Sequence, residues 1–118
     1  MSEPETPIDL QQVGNILLVP LQGLVHDELM NDLCNEVLAY LQYKRPEGVI
    51  LNMAGIEVLD RHDLERLKTM VESVALMGAP VVLAEVRPGV AAGLTMLDAD
   101  YSWVIAKRTV ELAMAHFQ

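Results

Sequence analysis

The chain is predicted to be a single α/β domain with a mixed, mostly parallel sheet of about five strands and four helices, in the order ββαβαβαβα. Three features predict it. Short apolar runs without charge at Ile16–Val19, Val49–Leu51 and Val81–Ala84 read as buried strands. Long stretches with apolar residues every three to four positions lie between them, the spacing of amphipathic helices. Strands that alternate with helices of this length imply crossover connections and parallel pairing.

Residues 1–6 are expected to be a disordered tail, and residues 7–118 the folded domain. Ile8, Leu10 and Gln12 alternate with Asp9 and Gln11, a weak strand pattern. Gly14-Asn15 then separates two strand-like runs and predicts a hairpin, so the first strand is antiparallel. A helix is expected from about Asp27 to Tyr43, where Leu29, Leu33, Val37 and Leu41 recur every fourth residue and Met30 and Leu38 widen the stripe. Asp27 and Glu28 fall in its first turn, and Lys44 and Arg45 follow its end, the polarity a helix dipole favours. Pro46 and Gly48 stop it.

After the Val49–Leu51 strand, Gly55–Leu59 leads into a second helix, expected from about Arg61 to Met77. Leu64, Leu67, Val71 and Val74 face inward, Asp60 is placed to cap the start, and Gly78 ends it. Beyond the Val81–Ala84 strand, Pro88 opens a short helix with Val90, Leu94 and Leu97 inward. Trp103–Ile105 reads as the last strand. Val110, Ala113, Met114 and Phe117 form the stripe of a terminal helix, with Thr109 as its cap.

At 118 residues the chain supports one domain. Its 52% hydrophobic content excludes a disordered chain. With only 4% aromatic residues, the core must be Leu, Val, Ile, Ala and Met, and few flat surfaces remain on which bases could stack. The formal net charge of -9 repels phosphate backbones and anionic lipid, which excludes nucleic acid as a favoured partner. It steers the chain toward basic patches on proteins instead. The single cysteine, Cys34, permits no intrachain disulfide and fits a reducing compartment. The acidic start Met1–Pro7 is no signal peptide. No apolar run approaches the ~18–20 residues that span a bilayer. A cytoplasmic protein without direct membrane insertion is expected.

Candidate chemistry is sparse. His26, His62 and His116 form no helical i, i+4 pair and no metal site is expected. Cys34 reads as a buried or half-buried small apolar residue rather than a nucleophile. No glycine-rich phosphate loop is present, and Gly89 and Gly93 read as close backbone packing. Glu57, Asp60 and Asp63 read as capping and solvated carboxylates, not a catalytic cluster. Neither an enzyme nor a cofactor is expected. Met70 and Met77 are candidates for an adaptable contact surface, the other methionines being core filling.

Three segments resemble one known family. Gly48 to Asp60 (GVILNMAGIEVLD) is similar to the central strand and loop of STAS domains, the fold of anti-sigma-factor antagonists. Gly78 to Ala91 (GAPVVLAEVRPGVA) resembles the strand and Arg-Pro-x-Val-Ala segment of stressosome subunits of the S and R types. Val104 to Ala113 (VIAKRTVELA) is similar to their final strand and helix. The resemblance spans about residues 8–117. It implies a non-enzymatic protein-binding module of a bacterial stress-response switch. Its implied partners are a switch kinase or phosphatase, an anti-sigma factor, or sister STAS subunits. A homodimer or larger assembly is implied too. The alternative is a small STAS subunit of a membrane transport complex, docking on an ATP-binding component.

In the family, a serine or threonine directly after the loop aspartate is phosphorylated. This chain has Asp60-Arg61-His62-Asp63 there, and Arg61 accepts no phosphate. Where R-type subunits can carry a second threonine, this chain has Gly93. The usual acceptors are therefore expected to be missing, with Thr95 the best remaining one. Asp60, Arg61, His62 and Asp63 are expected to form the partner contact, with Arg87 and Gly93 beside it. Cations at a helix start are disfavoured by roughly 0.3–1 kcal/mol, which Asp60 and Asp63 on either side offset.

Overall fold

The structure is a computed structural model and describes residues 10–22, 27–96 and 100–118, with the backbone alone for Gln22 and for 27–29. The tail at 1–6, Ile8, His26, the side chain of Leu29, and Leu97 lie outside the described residues. The elements are β1 (Gln11–Val13), β2 (Ile16–Gln22), α1 (Asp27–Lys44), β3 (Gly48–Gly55), α2 (Arg61–Leu76), β4 (Val81–Ala84), α3 (Pro88–Met96), β5 (Ala106–Lys107) and α4 (Val110–His116). The strands lie in sequential order, β1-β2-β3-β4-β5. β1 and β2 are antiparallel, and every later pair is parallel.

The hairpin forms where the sequence placed it. Val13 pairs with Ile16 across Gly14-Asn15, and Gly14 takes a positive φ of 61° that suits a residue without Cβ. Side-chain alternation then divides the core in two. Leu17, Val19, Val49, Leu51, Val81 and Leu83 face α1 and α2, where Leu33, Val37, Leu41, Leu64, Leu67, Val71 and Val74 meet them. Ile16, Ile50, Val82 and Ala84 face the other way, onto α4 through Ala113. Right-handed crossovers between sequential parallel strands put the connecting helices on one face of the sheet. Among the described elements, α4, which follows the last strand, covers the reverse.

The helix ends follow local chemistry. Thr109 Oγ1 accepts the Leu112 amide at 3.1 Å and caps α4. Arg45 ends α1 in the left-handed region at φ 53°, with its amide on Leu41 O at 3.0 Å. Gly78 does the same after α2 at φ 97°, donating to Ala75 O at 2.9 Å.

Two expectations need correction. The last strand is not Trp103–Ile105 but Ala106–Lys107. Trp103 Nε1 donates to Asp100 O at 2.7 Å and the Val104 amide to Tyr101 O at 3.0 Å, so these residues are spent on a turn. Pairing with β4 begins only at Ile105 O, which accepts the Leu83 amide at 2.7 Å. Met70 is buried in the core, because it falls on the inward stripe of α2; Met77, just past the helix, is exposed. Cys34 is half-buried against the main core, and burial pushes its thiol pKa up.

Candidate docking surface

The parallel strands β3 and β4 run side by side, so the loops that follow them emerge at the same end of the sheet, with β3 continuing past Asn52, the partner of Ala84, to Gly55. The β3–α2 loop is anchored by Ile56, which is buried and donates its amide to Met53 O at 3.0 Å, and by buried Leu59. Between these anchors Glu57 and Val58 are exposed. The chain then reaches Asp60 in extended conformation, φ -84° and ψ 178°. Its Oδ1 accepts the Asp63 amide at 2.8 Å, and its carbonyl accepts the Leu64 amide at 2.9 Å. Asp60 is thus the α2 cap that its position predicts, because a short acceptor side chain satisfies a first-turn N–H.

Arg61, His62 and Asp63 follow as the first turn of α2. Asp60, Arg61 and His62 are exposed and Asp63 is half-exposed. Burial first, then the neighbouring negative charge of Asp60, pushes the Asp63 carboxyl pKa up. His62 Nε2 hydrogen-bonds the guanidinium of Arg66 one turn on, a partner that i, i+4 spacing made findable in the sequence. The tetrapeptide therefore presents two carboxylates, a guanidinium and an imidazole on a rigid helix start.

The β4–α3 loop flanks this surface. Arg87 Nη1 donates to Ala54 O at 3.1 Å, across 33 positions of sequence. Gly89 sits so close to the loop that a Cβ on it would collide with the carbonyl oxygen of Glu57, and would lie 3.2 Å from Val58 Cγ1. A Cβ on Gly93 would lie 3.5 Å from Leu59 O, an ordinary contact. The structure thus brings Arg87 against the end of β3 and Gly93 against the loop that carries Asp60–Asp63. Thr95 is exposed two residues past Gly93, its hydroxyl donating to Ala92 O at 3.0 Å. The close backbone packing expected of Gly89 is present, but that Glu57 supplies the opposing carbonyl has no local signal in the sequence.

Elsewhere, a groove of about 280 Å³ lies between α1 and α2, lined by Met30, Cys34, His62, Arg66 and Met70 among others. Among the described residues, no three His, Cys, Asp or Glu side chains come together as a metal site requires, and no helix is long and apolar enough to cross a membrane.

The structure is an open α/β domain with an exposed loop–helix junction beside a neighbouring helix. Comparison with known proteins places it. A family model described as STAS domain matches residues 7–113, and the chain belongs to the STAS domain family. It is 30% identical over 111 residues to the RsbT co-antagonist protein RsbRA of Bacillus subtilis (strain 168), covering 94% of this chain and 39% of that protein. The chain thus spans about two-fifths of that relative's length. Among solved structures, a variant of RsbS from Moorella thermoacetica superposes with a TM-score of 0.79 at 19% identity, covering 94% of each chain. The Bacillus cell-fate determinant SpoIIAA in its phosphorylated form superposes with a TM-score of 0.66 at 12% identity, covering 94% of this chain and 99% of that one. The two structures show the shared fold.

Proposed function

We propose that this chain is a non-enzymatic, cytoplasmic protein-binding subunit of a bacterial signalling switch, of the stressosome or anti-sigma-factor-antagonist kind. It docks through Asp60, Arg61, His62 and Asp63, with Arg87 and Gly93 at the border. Its partner is a switch kinase, an anti-sigma factor or a sister STAS subunit, and it works within a dimer or larger assembly. The charge of the surface is set by side chains rather than by phosphate at the residue after Asp60. Thr95 is the remaining acceptor, beside the surface rather than within it.

One observation carries this reading: the junction from Asp60 to Asp63 lies at the protein surface, at the start of α2, and not inside the core. Two others support it. One relative's name makes it a co-antagonist of RsbT, and one structural neighbour is known in a phosphorylated form. Phosphate would add about -1.5 to -2 charges at such a position, whereas Arg61 adds a fixed positive one. A partner matched to this chain would then present an acidic patch to Arg61.

The test is a titration of the purified switch kinase of the same host against wild-type chain, Arg61→Ala and Arg61→Glu. Loss of affinity in the order wild type, Ala, Glu, shrinking as salt rises, supports the reading. Full affinity in both variants would remove Arg61 from the contact.

A further inference from the structure

The position of the docking loop is fixed from outside the loop. Helix α3 and the residue before it approach the end of β3 and the loop that follows it at three points. Arg87, just before the helix, donates to Ala54 O at 3.1 Å. Gly89, in its first turn, abuts the carbonyl oxygen of Glu57 too closely to admit a Cβ. Gly93, one turn on, faces Leu59 O with room for a methyl group, a Cβ there falling at 3.5 Å. Between the two glycines, Val90 is buried and ties the helix to the main core. Immediately upstream, Glu85 ends β4 with a φ of 60°, in the left-handed region that disfavours a residue with a Cβ. It is held there by its amide hydrogen bond to Lys107 O at 3.2 Å. The chain therefore turns sharply out of the sheet and drops Arg87 onto the end of β3 and Gly89 onto the loop that leads to Asp60.

From this geometry we infer that Arg87 and Gly89 are positioning residues for the Asp60–Asp63 surface. They act on it through the backbone of Ala54 and Glu57. The inference rests on the docking reading for its purpose, but the positioning itself is a property of the isolated chain. Gly89 sets how closely α3 approaches the loop. The Arg87 guanidinium closes the other end of that approach, so the loop has one height relative to the sheet. Gly93 borders the same loop without setting its position, because its contact leaves space.

Amide hydrogen exchange on the full chain, followed by NMR, tests this without any partner. Its outcome is therefore independent of whether the kinase titration succeeds. The reporters are the amides of Ile56, Asp63 and Leu64, bonded to Met53 O, Asp60 Oδ1 and Asp60 O. The strand amides of Ile50 and Val82 are the control. Gly89→Ala and Arg87→Ala are each expected to speed exchange at the three reporters roughly tenfold, with Ile50 and Val82 within about twofold of wild type. Gly93→Ala is expected to match wild type throughout. Arg87 is exposed, so its variant remains informative even where Gly89→Ala does not fold. Unchanged reporters in Arg87→Ala would overturn the inference. So would equal acceleration of reporters and control, which marks general loosening, or an effect of Gly93→Ala as large as that of Gly89→Ala.

Discussion

Asp60 and Asp63 are coupled in two ways: Asp60 Oδ1 accepts the Asp63 amide at 2.8 Å, and the Asp60 charge helps push the Asp63 carboxyl pKa up. The first interaction stiffens the start of α2. The second is repulsive, because two carboxylates stand side by side there, and their negative charge offsets the Arg61 cation that a helix N-terminus disfavours.

The cap gives the first prediction. Asp60→Ala leaves the Asp63 amide without its acceptor and is expected to cost about 1 kcal/mol in urea unfolding. Asp60→Asn keeps an acceptor oxygen and is expected to retain most of that stability. Equal losses in the two variants would mean that charge, not capping, is what Asp60 supplies.

Acid stability gives the second. The Asp100 carboxyl pKa is held down by the Ser102 amide and hydroxyl, at 3.0 and 2.7 Å, and then by Lys68 at 3.7 Å. A depressed folded-state pKa contributes stability above the unfolded carboxylate pKa, and that stability is lost as pH falls through the folded one. Asp63 has the opposite sign. Its contribution is full below the unfolded value and is lost as pH rises through the raised folded value. Melting temperatures followed through the acidic range should therefore fall less steeply toward low pH in Asp100→Asn than in wild type. Asp63→Asn should remove a loss that wild type shows as pH rises. Both groups are largely solvated, so the effects are small.

The end of α1 gives the third. Arg45 occupies the left-handed region at φ 53°, where a side chain costs roughly 1–2 kcal/mol. Arg45→Gly removes that cost but adds flexibility to the unfolded chain, worth roughly 0.5–1 kcal/mol. A net gain of about 0.5 kcal/mol is expected in thermal unfolding. A net loss would show that the Arg45 side chain makes a compensating contact.

The reverse face of the sheet gives the fourth. A Cβ on Gly48 would collide with the ring of Phe117, so Gly48→Ala must displace that ring. Overpacking of this kind costs about 1–3 kcal/mol. Combined with Phe117→Ala, the same substitution is expected to cost less than the sum of the single changes, because the ring it displaces is gone. Strict additivity in denaturant unfolding would contradict this contact.

What the sequence made legible is local. Ile16–Val19, Val49–Leu51 and Val81–Ala84 are unbroken apolar runs, which read as buried strands without knowledge of the fold, whereas the division of their side chains between two faces needs the sheet. Asp60, Thr109 and Gly78 act on residues within one helical turn, so spacing alone identifies them. The failures are of two physical kinds. Trp103–Ile105 has strand composition, but the backbone acceptors at Asp100 and Tyr101 capture Trp103 and Val104 first. The Arg87–Ala54 and Gly89–Glu57 contacts join residues more than thirty positions apart, and only the folded backbone shows them. The exposure of Asp60, Arg61 and His62 lay between these cases. Their polarity pointed to it, and the burial of Leu59 and Leu64 on either side produces it.

The central claim is that partners dock where α2 begins. NMR shift mapping of the labelled chain with the purified switch kinase of its host tests it most directly. Amides of residues 57–63, 87 and 89–93 are expected to shift or broaden, while those of Tyr43–Arg45 and Leu76–Gly78, at the opposite ends of α1 and α2, stay in place. Perturbations confined to that opposite end, with residues 57–63 unmoved in a saturated complex, would contradict it.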